Sequence, residues 1–370
     1  MLNRLEKFGL NLVVFAKLLG TTTVGLVFIS FLIINGRSIR LSRREWIFIG
    51  AVLFQFFISL FLSLNIALIS NTLFYFSFLP VYVFLKNKNN QILIYFLRYL
   101  MVVMFVFCLV EFIFLNTSLN KFVWYFTDEH MHRSLIMGLQ RAQGLAAISS
   151  SSGSVAVLSL ALYSIVSNRQ HIFYYVIVFF TIVLLMSGTG FFIFAAYILL
   201  INLINARGVF GKLLVWLFIL TVFSIFLWIF EDIGLNKFTL TYFFDILNFK
   251  GDQYLDFEVK KSLVSIVFGG QADSRHSVVE TSSDFGIMGL YNSMGVFSVV
   301  LAVFSPLLLI GFQKKYIVVL ILLLLSWVHY PALGSPVGCV FLGLFLALYR
   351  GNQRIASAKV RPGFSTALVS

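Results

Sequence analysis

Residues 91–115, QILIYFLRYLMVVMFVFCLVEFIFL, carry only two charges, Arg98 and Glu111, in a run that is otherwise almost wholly apolar. A hydrocarbon core about 30 Å thick is crossed by roughly 20 helical residues, and a helix satisfies every backbone amide within the segment. Eleven such runs follow one another, at about 18–34, 46–66, 69–85, 91–115, 147–166, 172–186, 190–205, 213–230, 285–310, 316–330 and 336–349. A soluble domain has about a quarter of its residues charged; here 11% are charged and 60% are hydrophobic. Barrel strands would alternate, and these runs are continuously apolar. The expected fold class is an all-α, polytopic integral membrane protein of about 11 transmembrane helices, 10 to 12, in a single domain over residues 1–370. The runs at 172–186, 190–205 and 336–349 are short, which implies tilt or local thinning.

Drawn with eleven spans, the basic connections fall on one side. These are Arg37, Arg40, Arg43 and Arg44; Lys86 and Lys88; Arg169; Arg207 and Lys212; Lys314 and Lys315; and the tail with Arg350, Arg354, Lys359 and Arg361. The positive-inside rule makes that side cytoplasmic. The acids check the drawing independently: of 14, only Glu6, Glu45 and Glu111 lie outside two long connections on the other face. Those connections, residues 116–146 and 231–284, are the two sizeable external loops. In the second, Leu255, Val259, Leu263 and Ile266/Val267 recur at helical spacing opposite Asp256, Glu258, Lys260 and Lys261, a pattern that suits a helix lying on the membrane surface. Residues 350–370 are expected to be a disordered basic cytoplasmic tail. Residues 5–17 remain open between an interfacial helix and one arm of a bent hairpin with 18–34. The first apolar run lacks a small-residue cleavage site, so no cleavable signal peptide is expected.

Several polar residues have an ordinary structural explanation. Cys108 and Cys339 sit in separate apolar runs and read as buried small side chains. Ser149–Ser152 and Ser154 suit close helix contacts. Gly188 and Gly190 suit a tight external turn, and Arg98 is expected to snorkel towards the cytoplasmic end of its span. His130 and His132 read as solvated loop residues. Glu111, about a turn from the external end of its span, is a functional candidate, because a carboxylate at that depth is costly. The net charge of +13 does not point to nucleic acid in such a chain, since its basic residues set topology.

One spacing stands out. Arg133 is followed after ten residues by Gly144, and Arg275 after ten residues by Gly286. Each pair closes a long external loop where the chain re-enters the membrane. With glycine at about 7% of residues, two such hits among three loop arginines arise by chance about once in seventy. The second loop reads GGQADSRHSVVETSSDFG, with Asp273, Arg275, His276, Glu280 and Asp284 close together. Arginine presents a fork of donors that matches phosphate and stays charged at any working pH. Arg275 with Arg141 or Arg133 could stabilise a diphosphate leaving group, while His276, or an acid such as Asp273, Glu280 or Asp284, polarises an attacking hydroxyl. No external cluster has clear metal-ligand spacing, so neither a metal nor another cofactor is expected.

The paired Arg-ten-Gly loops on a polytopic scaffold resemble the Wzy-type O-antigen polymerases of the O-antigen polymerase and ligase superfamily. The GG-Q turn before Arg275, Ser-Asp-Phe-Gly at 283–286, Gly295 beyond it, and His329-Tyr330-Pro331 ahead of an apolar run agree with that group. The resemblance implies a glycosyltransferase that joins undecaprenyl-diphosphate-linked oligosaccharides, as donor and acceptor, on the periplasmic face of the bacterial inner membrane. It implies catalytic roles for Arg275, His276 and Asp284, and substrate binding by Arg133, Arg141, Gly144, Gly286, His329 and Tyr330. Membrane lipids, a chain-length regulator and a flippase are the partners it allows. Two alternatives remain: a ligase that transfers finished polysaccharide to lipid A-core, and a transporter or flippase of lipid-linked sugars. The related ligases often carry an arginine in the turn that here reads Ser187-Gly188-Thr189-Gly190, which counts against the first.

Overall fold

The computed structural model describes residues 4–15, 41–63, 74–119, 135–136, 139–146, 148–167, 171–205, 216–217, 263–268, 286–327 and 335–359. Among them the chain is mostly helical. In order come α1 (Arg4–Val14), α2 (Arg43–Ser63), a 3-10 turn (Phe74–Phe76), α3 (Phe78–Leu85) and α4 (Asn90–Leu115). A two-stranded hairpin follows, β1 (Leu135–Ile136) with β2 (Leu139–Gln140), antiparallel with Leu135 opposite Gln140. Then come α5 (Ser149–Ser167), α6 (Ile172–Leu185), α7 (Gly188–Asn205), α8 (Leu263–Phe268), α9 (Gly286–Val303), α10 (Ser305–Ile310), α11 (Ile317–Ser326) and α12 (Pro336–Lys359).

Three of these helices are long and apolar enough to cross a membrane by length and composition: Arg43–Phe61, Asn90–Leu115 and Ser149–Ser167. Four shorter apolar helices accompany them, at Ile172–Leu185, Gly188–Ile204, Ile317–Ser326 and Pro336–Arg350. Their surfaces suit lipid. On α6, Ile177, Val178, Thr181, Ile182 and Leu185 are buried, while Ile172, Phe173, Val176, Phe179, Phe180 and Val183 are exposed. Both faces of the helix are apolar, so burial and not polarity decides which one turns inward.

The bundle is built around α5. Its sequence, SSSSGSVAVLSLALYSIVS, is buried at every position from Ser149 to Ile165, and α4, α6, α7, α11 and α12 all pack on it. Small side chains allow that approach. A Cβ on Gly153 would lie 3.1 Å from the Gly190 Cα, so α5 and α7 meet glycine to glycine. The preceding turn works differently from the sequence expectation: Met186 takes the left-handed conformation (φ 44°), and Gly188 and Gly190 already belong to α7. Gly190 serves helix contact, while Gly188 is exposed at the start of α7.

At one end of the bundle Lys86 and Arg350, from two of the basic connections, meet at Glu45. Ser42 and Glu45 form a capping box: the Ser42 N–H donates to Glu45 Oε2 at 2.6 Å, and the Glu45 N–H to Ser42 Oγ at 3.4 Å. The same carboxylate accepts from Lys86 Nζ at 2.8 Å, from the Tyr82 hydroxyl at 2.6 Å and from Arg350. Tyr349 also donates to the Gly311 carbonyl. Glu45 thus ties the start of α2 to the end of α3 and to α12. Arg350 is accordingly helical, and the helix runs on to Lys359, so the tail expected to be disordered from residue 350 is structured at its start.

Three further expectations are modified. The apolar run 285–310 is not one helix: α9 breaks at Gly295 (φ 74°, ψ 178°), and a second break at Phe304 precedes Pro306 in α10. The N-terminal α1 buries Leu10, Val13 and Val14 and packs on α12. Of the surface helix expected over 253–269, residues 263–268 are described and helical, with Leu263 80% exposed. The helix does not simply rest on a surface. The Phe268 carbonyl accepts from Gln55 Nε2 (3.1 Å) and Ser59 Oγ (2.8 Å) of α2, so its C-terminus is tied to an apolar span. A helix-end carbonyl in such surroundings requires a polar partner.

Candidate functional site

α4 sets the scale. Glu111 lies 21 residues beyond Asn90, so at 1.5 Å per residue it is about 32 Å from the basic end, close to a bilayer thickness. At this far end the chain turns back through Arg141-Ala142-Gln143-Gly144 into α5. The ties in that turn reach three different elements. The Ala142 N–H donates to the Leu184 carbonyl at the end of α6 (3.1 Å). The Gly144 N–H donates to Glu111 Oε2 (2.8 Å). Ser152 Oγ, on the first turn of α5, donates to the Gln143 carbonyl (2.8 Å) and accepts from the Ala146 N–H (3.1 Å). Residues 142–146 are buried, so these ties supply what water would otherwise give their backbone.

Gly144 is fixed on two counts. Its φ is +73°, in the left-handed region, and a Cβ there would lie 2.6 Å from Ser152 Oγ and 3.2 Å from Cys108 Sγ. The glycine of the first Arg-ten-Gly spacing is therefore a structural requirement. The outer edge of the turn is also anchored: Asn116, which closes α4, bonds Gln140 twice, accepting its N–H and donating to its carbonyl, each at 2.8 Å. Arg141 stands half-buried between this anchor and the buried turn. The backbone is tied on both sides of it, at Gln140 and at Ala142, which preorganises a guanidinium at the end of the bundle.

The structure places the expected site residues as follows. Arg141 and Gly144 share the braced turn, and Glu111 joins them. Gly286 opens α9. The two spaced glycines thus differ locally: Gly144 is a turn ahead of its helix, and Gly286 is the first residue of its own. Arg133, Arg275, His276, Asp284, His329 and Tyr330 lie outside the described residues, as do Asp273, Glu280, His130 and His132. The described chain stops before His329 at Trp327, whose ring stacks on Tyr75 with centroids 5.8 Å apart.

Sequence reasoning overlooked Gln55, Ser59, Asn116 and the bonding role of Ser152. Gln55 and Ser59 carried a signal, since they are a polar pair four residues apart inside an apolar run. Asn116 carried none, because its partner is 24 residues away in an irregular loop. Among the described residues no group of His, Cys, Asp and Glu is arranged to hold a metal ion. Comparison with protein-family models, curated proteins and solved structures gave no match.

Proposed function

We propose that the chain is a polytopic membrane glycosyltransferase that polymerises lipid-diphosphate-linked oligosaccharide repeat units into a surface polysaccharide. In this reading the chemistry occurs on the periplasmic face of a bacterial inner membrane. Arg275, with Arg141 and Arg133, grips the diphosphate, and the leaving group's charge is stabilised there as the glycosidic bond breaks. His276 or Asp284 takes the proton from the attacking hydroxyl of the next lipid-linked unit. The observation that best supports the reading is the braced turn. It holds Arg141 about one bilayer thickness from the end where Glu45, Lys86 and Arg350 meet. A diphosphate on a polyprenyl chain has its charge at that depth.

The test is Arg275→Ala and Arg141→Ala in the native host, with membrane insertion verified. A polymerase loses long chains and keeps single repeat units on the surface. A ligase leaves long chains stranded on the carrier lipid instead. Normal chain lengths in both variants overturn the proposal.

One observation favours a second reading, transport of the lipid-linked sugar. Transporters use interrupted helices at membrane depth, and α9 is interrupted at the buried Gly295. Purified protein in vesicles, supplied with donor and acceptor on the external side only, separates the two. Product formed there is incompatible with a pure transporter.

A further inference from the structure

Arg98 is a cation inside the apolar run of α4, and none of the roles above uses it. Its Cζ lies 5.6 Å from the ring centroid of Tyr95 and 5.2 Å from that of Tyr163 on α5. Tyr95 is one turn closer to the helix start, so the side chain leans back towards Asn90, the direction in which helical side chains tilt. The guanidinium therefore sits within about 12 Å, along the axis, of the basic end. Around it stand Tyr174, with its ring 4.8 Å from Tyr163, and His171 at the start of α6, with its ring 6.0 Å from Tyr163.

Two donors in this cluster are buried with no hydrogen-bond acceptor among the described residues: Arg98 Nε and the Tyr163 hydroxyl. Tyr163 is 1% exposed. Among the described residues the carboxylates of Glu45 and Glu111 are engaged elsewhere. Glu45 is engaged by Lys86 and Arg350 at the mouth of α2, and Glu111 accepts from Gly144 about 20 Å further along α4. A guanidinium and a phenol left so in apolar surroundings are costly unless an anion completes them. The Arg98 side chain is itself partly exposed, on the flank where Tyr95 is 65% exposed. A phosphate fits the donor set: the guanidinium fork meets its oxygens, and the phenol adds a further donor.

We infer that Arg98 and Tyr163 form a binding site for a phosphate group, presented by a lipid headgroup of the leaflet at the basic end. The site lies at the opposite end of α4 from Arg141, so it is separate from the proposed sugar chemistry. It rests on the membrane reading of the bundle and on nothing in the glycosyl-transfer proposal.

The experiment is thermal unfolding of the full-length protein in detergent micelles doped with phosphatidylglycerol or with the phosphate-free lipid galactosyl diacylglycerol. The wild type gains Tm with the phospholipid and not with the glycolipid. Arg98→Gln requires about tenfold more phospholipid, or greater, for the same gain, as expected on losing a charge-assisted hydrogen-bond pair. Tyr163→Phe guards against a folding artefact. It removes a hydroxyl that bonds nothing among the described residues, so its Tm without phospholipid matches or exceeds the wild type while the lipid-dependent gain shrinks. If millimolar inorganic phosphate reproduces the gain in an Arg98-dependent way, the phosphate chemistry stands and its source is the free anion. Equal gains in all three proteins, or an equal gain from the glycolipid, overturn the site. Neither result bears on Arg141 or on chain length in the host, so failure here and failure of the proposed function are distinguishable.

Discussion

At Gly144 a backbone requirement and a packing requirement coincide. The left-handed φ of +73° costs a non-glycine residue about 1–2 kcal/mol. A methyl 2.6 Å from Ser152 Oγ adds overpacking worth about 1–3 kcal/mol. Gly144→Ala should therefore lower the thermal midpoint of the detergent-solubilised protein clearly, whereas Gly50→Ala, with open space around its Cβ position, should not. Glu111 gives the complementary measurement. Glu111→Gln keeps a carbonyl acceptor for the Gly144 N–H and should unfold close to the wild type. Glu111→Leu leaves that N–H buried and unbonded, a loss of about 1–3 kcal/mol. Equal stabilities for Gln and Leu would show that the bond contributes nothing.

Among the elements, α12 is held most unusually. Its Arg350 reaches a carboxylate 305 residues earlier in the chain, and that carboxylate also carries Lys86, with side-chain exposures of 1% and 2% for the pair. Breaking a buried pair from one side leaves a charge without compensation, at about 3–5 kcal/mol. Glu45→Ala should lose about that much, and Lys86→Met alone less, because Arg350 still answers Glu45. A double-mutant cycle on the two sites, read by thermal unfolding, should show strong coupling, and additivity would refute the network. None of this was legible in the sequence. Glu45 reads there as one acid among arginines, and its partners are 37, 41 and 305 residues away. The same limit hid the break in α9. Hydropathy sees 285–310 as a single apolar run, since the interruption lies in the backbone dihedrals of Gly295 and in Phe304 ahead of Pro306, which an apolar average does not register. By contrast α4, α5 and α6 were readable, because their ends coincide with the polar residues that bound their apolar runs. The braced turn was half-readable: the spacing singled out Gly144, while its reason, a contact with Ser152 and Cys108, exists only in three dimensions.

For the whole molecule the decisive quantity is which end faces which compartment. The charge pattern divides the chain into a basic face and a face with the long loops, and the bundle agrees with that division where it is described. Glu45, Lys86 and Arg350 meet at one end of α4, with Gly311 beside Arg44, and Gly144 meets Glu111 near the other. Cysteine accessibility turns this into a measurement with little background, because the native Cys108 and Cys339 are both buried, at 0% exposed. Leu139, 43% exposed in β2, marks the Arg141 end; Phe312, 65% exposed and next to Gly311, marks the basic end. In intact spheroplasts a membrane-impermeant maleimide should label Leu139→Cys, and it should reach Phe312→Cys only after permeabilisation. The opposite pattern would put Arg141 in the cytosol, where a polymerase working on the periplasmic face could not use it. Labelling of both from one side would mean that α4 does not cross the membrane. The depth assigned to Arg98 would then fail as well, since both assignments use the length of that one helix as their ruler.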